Sequence, residues 1–392
     1  MTDSDALERA RDLHREIVIF DGHLDIPSTF GGPGQAADAD GPGQFDLVKA
    51  RRGGLSGVSI AAAAPLARAN PAGVASGRAA HEAGFAAIHA MAADFPDQVA
   101  IASTPADFRE IVASGRLAVV PALQNAAPFD GRLEAVQAWR ARGVQILALA
   151  FIGNNAFADS ARPYPFAGDF DNGGLSDLGR KAVALANDLG LALDASQLSA
   201  EALRDLLAES RTPVIATHSA PRGMLDKRRN LTDAEMRAIA DGGGLVNIVG
   251  FGPYLVGYSP DQLEGLRDLW MKYGLTDCQT MDDAIFHRDT AGWDDEDFWE
   301  FLHEFHVVVD MDNPTVGVSH LVDAIDYAVE LIGIDHVGIS SDFNHGGGLI
   351  DWRDAGRRGY PKADIAKLWG ENFLRIWGEI QASARVSAIG PA

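Results

Sequence analysis

The sequence predicts a (β/α)8 barrel of the TIM type, one domain over residues 1–392 with a helical insertion at 253–313, between the seventh and eighth strands. Three observations predict it. Eight short apolar runs recur along the chain, and strands that are apolar throughout belong to parallel sheets covered on both faces. Longer amphipathic stretches of helical character separate them. Eight such units in one chain point to a closed barrel in preference to an open sheet.

The charged opening MTDSDALERARDLHREIVIF has no apolar core of the signal-peptide kind and reads as a helix feeding the first strand, 16–21. The next runs are 57–62 (GVSIAA), 118–123 (AVVPAL) and 144–150 (VQILALA), then 191–195 (LALDA), 213–217 (PVIAT), 244–249 (GLVNIV) and 337–341 (VGISS). A weaker run, VAIA at 99–102, is an accessory strand or part of a connection. Between the runs, 76–94 is periodic in Ala, Phe and Ile, and 176–190 opens on a Ser cap and closes on Gly. Thr232 followed by Glu235 is a capping box for a helix to 241. The stretch 253–313 carries aromatics and acids (WDDEDFWEFLHEF) but no strand signal, so it reads as helices over the barrel mouth or at a subunit contact. Gly- and Asp-rich 31–44 reads as a mobile loop after the first strand.

Composition narrows the partners. Of 392 residues, 47% are hydrophobic and 22% charged, an ordinary globular balance, and the formal net charge is -22. Such a surface repels nucleic acid and anionic membranes. The single cysteine, Cys278, allows neither an internal disulfide nor a cysteine-rich zinc module, so a metal must sit on His, carboxylate or amide groups. No apolar run is long enough to span a bilayer, and the tail SAIGPA lacks the hydrophobic stretch of a lipid-anchor signal. A cytoplasmic protein is the expectation.

In such a barrel the chemistry gathers at the carboxyl ends of the strands. There the sequence places His23 and Asp25 (DGHLD), Gln124 and Asn125, and Phe151 with Asn154 and Asn155. The later runs end in Asp194, Ser196 and Gln197, in His218 and Ser219, and in Asp342, Asn344 and His345. His-x-Asp on a strand sends both side chains to one face, and imidazole with carboxylate suits zinc and similar ions. The pair alone arises by chance in many chains. His218 and Asp342, at equivalent places on two other strands, make a joint metal reading the better account of the four. The His303/His306 pair in FLHEFH reads as packing or surface, His345 as a substrate contact or a turn, and Asn154 and Asn155 as mouth lining or turn bracing.

With these residues in view, the chain resembles the membrane (renal) dipeptidase family of amidohydrolase-like barrels. The resemblance rests on DGHLDIP, GLSDLGRKAVALANDLG, PVIATHSAPRG, RRNLTDAEMRAIADGGGLV, DHVGISSDF and GENFLRI, which run in the family's order from Asp21 to Ile376. It implies that His23 and Asp25 are metal ligands, that His218 is a histidine ligand, and that Asp342 handles the proton of the attacking water. It also implies that Arg229, in RRNLTD, grips a substrate carboxylate, a task suited to a planar guanidinium.

Three positions depart from the pattern. Gln124 stands where the family has a metal-bridging glutamate, Gln197 where it has a histidine ligand, and Phe151 where it has a histidine polarising the scissile carbonyl. Two close cations need bridging negative charge, which an amide does not supply. The expectation is therefore one divalent ion, zinc by preference, at His23, Asp25 and Asp342. His218 then binds it or contacts its water, Gln124 is a weak further ligand, and Phe151, Gln197 and Asn155 line the substrate site. The expected function is hydrolysis of a dipeptide or related small amide bearing a carboxylate, by a homodimer. The alternatives are non-hydrolytic chemistry, such as elimination or isomerisation, and an inactive binding member.

Overall fold

The apolar runs become strands with hardly an exposed residue, because the sheet is covered by helices outside and closes on itself inside. The computed structural model describes residues 12–26, 30–31, 37–41, 43–64, 66–163, 170–275, 293, 295–309, 316–344, 349 and 361–385. In chain order the strands are β1 Phe20–Asp25, β2 Gly57–Ala63, β3 Val99–Ile101, β4 Leu117–Gln124 and β5 Ile146–Ala148. Then come β6 Ala192–Asp194, β7 Ile215–Ser219, β8 Leu245–Val249 and β9 Val337–Ser340. The sheet order is β1-β2-β4-β5-β6-β7-β8-β9, all parallel, with β3 attached only to β4 as an accessory strand. Its two ends meet: Leu24 bridges Phe343, the Asp25 N–H donates to the Phe343 carbonyl at 3.2 Å, and the Asp342 N–H donates to the His23 carbonyl at 3.0 Å. This is the (β/α)8 barrel that the sequence predicts.

The two ends of the barrel differ in chemistry. At the amino end, Phe20, Ile146, Ala192, Ile215 and Leu245 pack with Phe373, Trp377 and Ile380 of the C-terminal helix Asn372–Ala382, an apolar plug in which Phe20 stacks on Phe373 at 4.1 Å. At the carboxyl end, the strands bury polar side chains instead, among them His23, Asp25, Gln124, Asp194 and His218. Hydrophobic burial thus closes one end and leaves the polar groups at the other.

Helix signals hold to within a few residues. Pro71–Asp94 starts earlier than expected because Asn70 caps it, its side chain accepting from Gly73 N–H. Ser176 caps Asp177–Asp188, and Thr232 with Glu235 forms a reciprocal capping box on Asp233–Asp241. Two strands, β1 and β7, are shifted toward their carboxyl ends relative to the sequence reading. The first and sixth apolar runs mark only the entry to β1 and β7, whose ladders continue through the polar stretches that follow. The barrel makes this possible by pairing those groups: the Asp21 carboxylate accepts from Ser341 N–H at 2.8 Å and His23 N–H at 3.2 Å. Gly22 is required there, since a Cβ would lie 2.1 Å from Asn247 Nδ2.

The insertion after β8 contributes Gly252–Leu255, Pro260–Lys272 and Asp295–Val309. Leu266, Leu269, Trp270, Leu275, Phe301 and Phe305 form a separate small core with Leu66, which follows β2, so the insertion sits on the mouth side. Cys278, His345, the His306 side chain and residues 32–36 and 42 of the 31–44 loop lie outside the described residues. His303 is exposed. Among the described residues no helix is long and apolar enough to cross a membrane.

Candidate metal centre

Two irregularities aim the site. β1 breaks register between Asp21 and Leu24, and β7 between Ala216 and Ser219, the segments that carry His23 and Thr217–His218. Such bulges redirect side chains at barrel rims. Asp342, just past β9, takes a left-handed φ of 57°, which an Asp adopts more readily than most residues. The result brings His23 Nε2 within 3.7 Å of Asp25 Oδ1 and 3.9 Å of Asp342 Oδ1, all three residues buried.

Burial alone would pull the His23 imidazole down in pKa. The carboxylates of Asp25, Asp342 and Asp194 outweigh it and hold the ring above its ordinary value. A buried place that favours a proton among carboxylates also favours a cation. Among the described residues His23 Nε2 makes no hydrogen bond, and ligand atoms of His23, Asp25 and Asp342 lie within 4.8 Å of one another. An unsatisfied imidazole nitrogen facing two carboxylates fits a divalent ion.

A second group, His23, Asp194 and His218, is equally compact, but its centre is filled. Thr217 Oγ1 sits 2.6 Å from Asp194 Oδ2, 2.8 Å from His218 Nδ1 and 3.3 Å from His23 Nδ1. On the other side of His218, Nε2 is 3.0 Å from Gln197 Nε2, and Gln197 Oε1 accepts from Arg162 Nη2 at 3.0 Å. Arginine only donates, so it fixes the direction of the whole chain. Gln197 must present its oxygen to Arg162 and its N–H to His218, and His218 therefore accepts at Nε2 and donates from Nδ1 to Thr217. Thr217 spends its one proton on Asp194 and accepts from both imidazoles. His23 then carries its proton on Nδ1, leaving Nε2 as the lone pair that a metal ligand needs.

Two buried arginines flank this relay. Arg229 donates from Nη2 to the His218 carbonyl at 2.7 Å and from Nη1 to Ser219 Oγ at 3.3 Å, and lies over the Tyr254 ring at 5.2 Å. Burial lowers its pKa, and the nearby charge of Arg162 adds to this. Arg162 lies over the Phe151 ring at 5.3 Å. Among the described residues the two guanidinium groups donate to Gln197, to Ser219 and to the His218 carbonyl, and both Nε–H groups are buried without a partner.

A profile of the membrane dipeptidase family (peptidase family M19) matches residues 7–389, nearly the full barrel. The chain belongs to the membrane dipeptidase family. With that come metal dependence and hydrolase chemistry. The probable dipeptidase PvdM from Pseudomonas aeruginosa, a solved structure, is 42% identical, with a TM-score of 0.90 over 98% of this chain and 100% of that one. Dipeptidase ataJ from Aspergillus terreus is 27% identical over 96% of this chain and 87% of its own length. A metallo peptidase from Rhodobacter sphaeroides, 20% identical with a TM-score of 0.68 over 93% of this chain and 99% of that one, shares the fold.

Against that family pattern, the structure brings His23, Asp25 and Asp342 together and sets His218 behind them. The expectation that His218 binds the ion or its water meets a geometric obstacle, since both ring nitrogens are taken by Thr217 and Gln197. Gln124 ends β4 with Oε1 buried and, among the described residues, without a hydrogen bond. Phe151 faces Arg162, and Gln197 links Arg162 to His218. Asn155 is committed to its own loop: Nδ2 donates to the Leu149 carbonyl at 2.8 Å, and Oδ1 accepts from Phe157 N–H at 2.8 Å. Asn154 braces the same loop, donating to the Phe170 carbonyl and accepting from Ser160 N–H. The strand-end reading noticed Asp194 but gave it no role, and it missed Thr217 and Arg162. Thr217 carried a signal, being next to His218 on the same strand. Arg162 lies in the irregular segment after β5, where no periodicity points at it.

Proposed function

We propose that this enzyme hydrolyses a dipeptide or a related small amide bearing a free carboxylate, using one divalent ion, zinc by preference, held by His23, Asp25 and Asp342. The observation that carries the reading is the unsatisfied His23 Nε2 between two buried carboxylates. A divalent ion there supplies a Lewis acid that polarises the substrate and acidifies the attacking water.

The chain's own groups divide the remaining work. With one oxygen of Asp342 offered to the ion, its other oxygen accepts the proton of the attacking water. Arg229 receives the substrate carboxylate through Nε–H, its other nitrogens being fixed to His218 and Ser219. His218 and Thr217 keep His23 in the ligand tautomer. Gln124 offers its buried carbonyl oxygen as a weak further contact, and Phe151 and Gln197 line the wall that Arg162 occupies. The net charge of -22 argues against nucleic acid and anionic membrane as partners, and we assign the protein to the cytoplasm and, by analogy with its family, to a homodimer.

A survey of dipeptides and N-acyl amino acids before and after chelation tests the reading. Turnover that disappears with the metal and returns on adding one equivalent is expected; turnover indifferent to chelation would overturn it. One observation favours a second reading. Phe151 stands where a carbonyl-polarising histidine would serve hydrolysis, which leaves room for isomerisation or elimination; a product of unchanged mass would identify isomerisation, and products whose masses sum to that of the substrate with no water added would identify elimination.

A further inference from the structure

Arg162 is assigned by neither the strand-end pattern nor the metal cluster, yet it is 7% exposed and belongs to the active-site wall. The loop after β5 is built to deliver it. Ser160 accepts from Arg162 N–H at 3.0 Å while donating its one proton to the Phe151 carbonyl, and Gly153 N–H donates to the Arg162 carbonyl at 2.8 Å. Asn154 and Asn155 hold the preceding turn. A cation buried this firmly, with no carboxylate partner among the described residues, needs a reason, because an unpaired buried charge is costly.

We propose that the Arg162 guanidinium is the resident cation of the second half of the site, taking by charge and by hydrogen bonding the place of a second divalent ion. The inference rests on the single-metal reading above. Three observations carry it. Through Gln197, Arg162 turns an amide N–H onto His218 Nε2, so the lone pair that could bind a second ion accepts a proton donor instead. Gln124 brings no negative charge to bridge two ions, so a second dication would face both the first ion and the guanidinium with Asp194 as the one carboxylate of its group among the described residues. Phe151, in place of an imidazole, offers its ring face to the guanidinium at 5.3 Å and stabilises it there. The three departures from the family pattern thus become one substitution, an internal cation with its supports. Among the described residues Arg162 also keeps a buried, unpartnered Nε–H, a donor for an anionic or carbonyl oxygen of the substrate.

The test is metal stoichiometry, measured by zinc titration calorimetry and elemental analysis of the full-length protein. Three proteins are compared: the wild type, the ligand-restored variant Gln124→Glu/Gln197→His, and the same variant with Arg162→Ala added. The expected counts are one, one and two equivalents per chain. A double variant that already takes two equivalents would overturn the proposal, since Arg162 would then exclude nothing. A triple variant that stays at one would overturn it as well. An Arg162→Met version, which keeps the apolar stem, is scored by the same counts and serves where the Ala version loses its cooperative melting transition. The wild-type count reports separately on the single-metal reading: zero or two equivalents there contradict that reading whatever the variants do.

Discussion

The two sides of the barrel mouth start from the same kinds of residue and reach opposite states. On the β1/β9 side, His23 faces Asp25 and Asp342 with a nitrogen that is unsatisfied among the described residues. On the β6/β7 side, His218 has both nitrogens hydrogen-bonded, in a chain that runs from Arg162 to Asp194. The rings stack at 3.8 Å, so the difference is not one of location. It lies in the partners: carboxylates call for a cation, whereas an amide anchored by arginine supplies the donor itself. A histidine at a strand end is a ligand or a positioning group according to what its neighbours can donate.

The largest expected effect comes from breaking the first side. His23→Ala should abolish metal binding by elemental analysis and lower activity by about 10³ or more, since several kcal/mol of charge stabilisation leave with the ion. Next, Thr217→Val keeps the shape but strands Asp194 Oδ2 and both imidazole Nδ1–H groups. Denaturant unfolding should show a loss of about 3 kcal/mol, and metal affinity should fall about 10–100-fold.

A third buried histidine sharpens the contrast through pH. His81 lies among Phe129 and Trp139 and donates from Nε2 to the Gln124 carbonyl; burial lowers its pKa to about 4. Its folded value is below the unfolded 6.5, so the unfolded chain binds the proton more readily. Its contribution to stability is intact above pH 6.5, is lost progressively as pH falls, and is fully lost below about 4. His81→Gln should remove about 2 kcal/mol of the stability difference between pH 7 and pH 5, leaving metal content unchanged. The smallest effect belongs to His303→Ala on the exposed insertion helix, expected within about 0.5 kcal/mol of wild type and with full metal content.

Much of this was legible in the sequence, for a physical reason. Strand burial writes itself as apolar runs, and caps such as Ser176 and Thr232 act within one helical turn, so the barrel and its helices could be read locally. His23, Asp25 and Asp342 were found because strand ends in a barrel converge. What was illegible depends on distant partners. The β1 ladder runs four residues past the apolar run's end because Ser341, over three hundred positions away, satisfies Asp21. Arg162 acts through Gln197, and only the folded chain shows which donor faces which acceptor.

Elemental analysis of the purified wild-type protein beside His23→Ala and His218→Ala tests the central contrast most directly. The account expects one equivalent of divalent metal in the wild type, none in His23→Ala, and weaker but stoichiometric binding in His218→Ala at saturating metal. Two equivalents in the wild type, or a site lost in His218→Ala and kept in His23→Ala, would contradict it.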